Sequence, residues 1–150
     1  MVLPIVGSCF CGSASWAIFS PPVISAYCHC TNCQRLTACP FVHTMHVQAV
    51  DFTWKHAEPH ADKLDTYTNY LKPHKTRFRC KKCGACLAST NTLTQRISIW
   101  GALLERDENG NVLHWDIAKP TSHIFYDTRM LDVKDELPKW EGYENNSTRM

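Results

Sequence analysis

The sequence predicts a mainly β protein of a single domain, and three observations carry that expectation. The apolar runs are strand-sized, Gly and Pro interrupt them throughout, and only one short stretch has a helical look. At 150 residues the chain suffices for one domain with a real core but not for two comfortable ones.

Taken in order, "SASWAIF" alternates, with Ala14, Trp16 and Ile18 on one side, and stops at Ser20-Pro21-Pro22. "VISAYCHC" is a second strand candidate that runs straight into a cysteine cluster. "PFVHTMHVQAV" is a third, and the period of two puts Phe41, His43, Met45 and Val47 on one face. His43 and His46 then fall on opposite faces, so they cannot both line one site; either could shuttle a proton. A short helix is expected around Asn32 to Thr37. "HAEPHADK" is a polar turn region, "LDTYTNYL" a strand, and "ISIWGALL" a strand after a second cysteine cluster. "DENGNV" signals a turn through its Asn-Gly, "SHIFYD" is the last strand, and "ENNSTRM" is expected to fray. The folded domain is therefore expected over 1–143, with 144–150 as a disordered tail.

The formal charge of +2 is almost balanced, and the short basic run "RFRCKK" surrounds a cysteine motif. Nucleic acid is not an expected partner. No apolar run approaches the roughly 18 residues of a membrane span, and the N-terminus lacks the charged start of a signal peptide. A cytoplasmic, reducing setting is expected, where nine clustered cysteines bind metal rather than form disulfides.

By spacing the cysteines form two sets. "CFC" (Cys9, Cys11) with "CKKC" (Cys80, Cys83) supplies four thiolates, which close a tetrahedral zinc shell and make a structural site. A modest bend in a strand would bring Cys9 and Cys11 onto one ion, and Gly84 suits the positive φ of the CxxC knuckle. "CHCTNC" (Cys28, Cys30, Cys33) is a set of three, the pattern of a catalytic zinc with an open fourth position. Three thiolates leave Zn²⁺ with a net negative charge, suited to holding a soft ligand such as an incoming thiol. The competing reading is a shell closed by Cys39, Cys86 or a histidine. His29, between two ligands, is expected to point away from the metal.

These motifs resemble a known family. "GSCFCG", "CHCTNCQRLTACPF" and "RFRCKKCG" look like the signature of the glutathione-dependent formaldehyde-activating enzymes, a wider family that includes centromere protein V. The closing "HIFYDTRMLDVKDELPKWEGY" also resembles that family, with Leu137-Pro138 matching its Leu-Pro pair. The resemblance implies several coiled β-sheets in a tent-like arrangement and two zinc ions per chain. Of these, a structural one sits on Cys9, Cys11, Cys80 and Cys83, and a catalytic-type one on Cys28, Cys30 and Cys33. The implied activity is a carbon–sulfur lyase that joins glutathione and formaldehyde reversibly, with small-molecule thiol and aldehyde partners. Cys39, Arg79 and Cys86 depart from the family pattern without touching the ligand positions. The alternatives are a zinc-dependent lyase, dehydratase or isomerase on another small metabolite, and a non-catalytic zinc interaction module. The latter would be expected to carry basic or disordered extensions, which this chain lacks.

Overall fold

The computed structural model describes residues 4–150, so residues 1–3 of the expected domain lie outside the described residues. In chain order the elements are β1 (Ile5–Ser8), β2 (Ser15–Ile18), β3 (Ile24–Cys28), α1 (Thr31–Thr37), β4 (Val42–Gln48) and β5 (Phe52–Trp54). They continue with β6 (Leu64–Thr68), β7 (Lys75–Cys80), β8 (Cys86–Asn91), β9 (Arg96–Trp100), α2 (Trp115–Ala118) and β10 (His123–Ile124). The mainly β expectation holds. A three-stranded sheet runs β1-β2-β5, and a seven-stranded one runs β10-β3-β4-β9-β8-β7-β6.

The small sheet forms because Trp16 and Ile18 of β2 are fully buried, with Phe52 and Trp54 of β5 packed over them. Gly7 of β1 makes this possible: a Cβ there would stand 2.3 Å from Cζ2 of Trp16. In the large sheet the period of two separates the faces. Met45, Val47, Ile97, Ile99 and Ala88 turn into the core, and the residues between them face a cavity.

Three strands escaped the sequence reading, β5, β7 and β8, and the N-terminal strand expected at "CFC" lies just before it, as β1. The β7 stretch "KTRFRC" is polar at most positions, and "CLASTN" is small, so neither shows an apolar alternation. Ladder pairing on both sides makes them strands: β7 bonds to β6 and β8, and β8 to β9. The one-turn α2 was likewise unforeseen. Conversely, the strand expected over "LDTYTNYL" ends at Thr68, because Asn69 Oδ1 accepts from Leu71 N and starts a turn. "SHIFYD" yields only His123–Ile124, since Phe125 takes a left-handed backbone with φ 53°.

The end expected to fray is folded back here. Glu144 Oε2 accepts hydrogen bonds from Thr121 Oγ1 (2.8 Å) and Ser122 Oγ (3.0 Å), and Met150 N donates to Lys139 O at 2.9 Å. Among the described residues no helix is long and apolar enough to cross a membrane.

Candidate metal centre

Cys9 and Cys11 sit in the turn between β1 and β2, not within a strand as expected. Cys9 N donates to Ala14 O, and Gly12, at φ 76°, closes the turn. Across from it, Cys80 ends β7 and Cys83 follows in a matching turn, in which Cys80 N donates to Ala85 O. Gly84 takes the same φ of 76°, as its place after the knuckle required. The four sulfurs lie within 4.8 Å of one another. Sulfur–sulfur distances of 3.6 Å (Cys9–Cys11) and 3.8 Å (Cys11–Cys80) match the edge of about 3.8 Å implied by a tetrahedron with Zn–S near 2.3 Å. The donor set fits zinc.

Cys28 ends β3, Cys30 is the N-cap of α1, and Cys33 lies in its first turn. The Cys30 sulfur accepts from Cys33 N at 3.3 Å, which folds the segment so that one helical turn brings the sulfurs together. These three sulfurs also lie within 4.8 Å of one another. Hydrogen bonds from the Cys28 and Cys33 thiols hold Cys30 well below the ordinary thiol range and, seen from the other side, push Cys28 up. Among the described residues neither Cys39 nor Cys86 joins either group. Cys39 is exposed and donates to Thr37 O; Cys86 donates to Leu36 O.

The three-sulfur group opens onto a cavity of about 470 Å³ floored by the large sheet. His46 lines this cavity and His43 does not, in keeping with their opposite faces. Burial, then the charges of Arg96 and Lys75, push His46 down to about 4, so it is neutral at physiological pH. His43 instead donates from Nε2 to Ser25 Oγ (2.8 Å), because the Ser25 hydroxyl is committed to Ala118 O. Its ring fills the space over Gly101, where a Cβ would stand 1.8 Å from Nδ1. Tyr143, from the closing segment, walls the cavity; burial and then the nearby cysteines raise its phenol, so it keeps its proton.

Behind the sulfurs, His29 is fully buried and turned away from them, as expected. Its Nε2 lies 2.8 Å from His123 Nδ1, and His123 Nε2 lies 2.8 Å from Asp135 Oδ2. The carboxylate accepts, so His123 donates from Nε2 and its Nδ1 accepts the hydrogen bond that His29 donates from Nε2. Phe41 stacks on His29 at 4.7 Å. Sequence reading missed His123, Asp135 and Tyr143. The quoted closing segment contained all three, but nothing in its spacing tied them to residues near 29.

The fold and two thiolate clusters define a small β-sheet protein equipped to hold soft metal ions. Over residues 4–128 the chain matches the family described as glutathione-dependent formaldehyde-activating enzyme, and it belongs to that family. A crystal structure of a Rhodobacter sphaeroides protein has a similar fold, with a TM-score of 0.51 at 18% identity, covering 71% of this chain and 96% of that one. No curated protein matches the chain.

Proposed function

We propose that this protein is a zinc-dependent carbon–sulfur lyase that reversibly joins a thiol such as glutathione to formaldehyde or a related small aldehyde. One observation carries the reading. Three clustered sulfurs, joined by no fourth ligand among the described residues, open onto a cavity, while a separate set of four is complete. Cys9, Cys11, Cys80 and Cys83 would hold a structural zinc, and Cys28, Cys30 and Cys33 a catalytic one. The latter ion, when bound, supplies acidification of a thiol from its ordinary pKa of about 8.5.

The chain's own groups do the rest. An imidazole nitrogen of the neutral His46 takes the thiol proton. The Tyr143 hydroxyl donates a hydrogen bond to the aldehyde oxygen as the sulfur attacks the carbonyl carbon. A C–S bond forms, the C=O π pair moves to oxygen, and oxygen gains the proton; the reverse reaction breaks the same bond. The cavity holds both partners together. Seven cysteines grouped as metal donors suit a reducing, cytoplasmic setting. A second reading, the same chemistry class on another small anionic metabolite, is favoured by the basic lining of the cavity.

The test is cobalt substitution. Glutathione added to the cobalt protein should change the thiolate-to-metal absorption and release a proton. The response should vanish in Cys30→Ser and persist in Cys39→Ser. Loss of second-site metal in Cys39→Ser would mean that protein closes the shell, and the catalytic reading would fail.

A further inference from the structure

Register, not sequence proximity, determines what faces the ligand in the cavity. Ile24, His46, Ser98, Ser89 and Arg77 are cross-strand partners in one row over β3, β4, β9, β8 and β7. The next row on the same face aligns Arg96, Asn91 and Lys75. Lys72 joins them from the turn before β7, where Lys75 N donates to its carbonyl at 2.9 Å.

Lys72, Lys75, Arg77 and Arg96 thus line one cavity, and among the described residues no Asp or Glu lines it. The contrast is sharp in a chain with 16 basic and 14 acidic residues. Among the described residues none of the four is in an ion pair; the pairs formed by basic side chains involve His60, Arg79, His123, Arg129 and Lys139. Arg77 Nη1 donates only to the neutral Ser89 hydroxyl. Burial, then the like charges of Arg77 and Lys72, push Lys75 down, which shows how crowded the cations are.

Charge counting identifies what is missing. A divalent ion on three thiolates carries one net negative charge, which leaves three of the four cations unmatched. An incoming thiolate matches one more, and two remain. Glutathione offers two carboxylates for them, but it also brings an ammonium into a cavity with surplus positive charge and no carboxylate to receive it.

Resting on the thiol reading above, we propose that Lys72, Lys75, Arg77 and Arg96 determine specificity, and that the preferred co-substrate is a small thiol bearing two anionic groups and no ammonium. The neutral floor groups, Ser89, Asn91 and Ser98, supply hydrogen bonds to the anions without offsetting the charge.

Affinities of thiols for the cobalt protein test this, read from the absorption change. Mercaptosuccinate and N-acetylglutathione should each bind at least about fivefold tighter than glutathione, and cysteamine most weakly. The advantage should shrink as salt rises from 0.05 to 0.5 M, and in Arg96→Gln and Lys75→Gln. Succinate, which has no sulfur, should bind by calorimetry and lose affinity in the same variants. Equal affinities for glutathione and its N-acetyl form, or failure of succinate to bind, overturns this inference while the thiol reading stands. Succinate binding with no spectral response to any thiol overturns the thiol reading, and leaves the floor a selector of dianions. The ligand series uses the unaltered protein, so the outcome does not depend on any variant folding.

Discussion

Cys9, Cys11, Cys80 and Cys83 come from two separate segments, with the hydrogen-bonded pair Cys11 and Cys80 lying 69 residues apart in sequence, whereas Cys28, Cys30 and Cys33 come from one strand-to-helix junction. A metal on the first set ties the small sheet to the large one and closes a long loop, so its binding free energy is largely folding free energy. A metal on the second set ties together six residues that β3 and α1 already hold in place. The same donor chemistry would thus serve cohesion in one place and exposure in the other. The difference lies in where the chain supplies the fourth sulfur.

The largest expected effect breaks this contrast or upholds it. Cys80→Ser should leave the protein unfolded or aggregated, losing most of the roughly 10 kcal/mol or more that a structural zinc contributes. Cys30→Ser should retain the fold and one of two zinc ions, because serine can still cap α1. Native mass spectrometry and thermal melting measure both. A single zinc in the unaltered protein would end the two-site picture.

A smaller effect sharpens the comparison. Behind the three-sulfur site lies the chain His29–His123–Asp135, which pins the residue between Cys28 and Cys30. His123→Ala should lower cobalt affinity at that site by about tenfold, the lower range for removing such support. The four-sulfur site should be unaffected, as measured by competition with a chelator. Equal weakening at both sites would mean the buried histidines act on the whole fold.

A further effect is one of pH. Burial holds His43 and His46 near 4, below the unfolded value of about 6.5. Between those values the unfolded chain binds more protons, so stability is full above about pH 6.5 and falls as pH drops toward 4. Ser25 and the Ala118 carbonyl face His43, and Arg96 and Lys75 face His46. His46→Asn should flatten part of that decline in melting temperature at fixed zinc. An unchanged slope would show that His46 is protonated in the fold.

Much of the molecule was legible in the chain itself. Alternation in "SASWAIF" and "PFVHTMHVQAV" revealed two strands and the opposite facing of His43 and His46, because facing within a strand is a local property. The spacing of CFC, CHCTNC and CKKC divided seven cysteines correctly into the groups that the fold assembles. Short covalent spacers restrict sulfurs to one small volume whatever surrounds them.

What remained hidden depends on pairing between distant segments. β7 and β8 are strands because their neighbours hydrogen-bond them, although their own composition is polar or small. Lys75, Arg77 and Arg96 become one basic floor through register across β7, β8 and β9, and His123 meets His29 because β10 lies parallel to β3. Cys39 and Cys86 stayed open as ligands in the sequence; in the fold Cys39 is exposed beyond α1 with its thiol donating to Thr37 O, and Cys86 starts β8 with its thiol donating to Leu36 O, so neither joins the cluster. Local periodicity encodes which way a residue faces, and the chain alone determined that much. Which residues it then meets is a consequence of long-range ladder pairing, and the tertiary structure decided it.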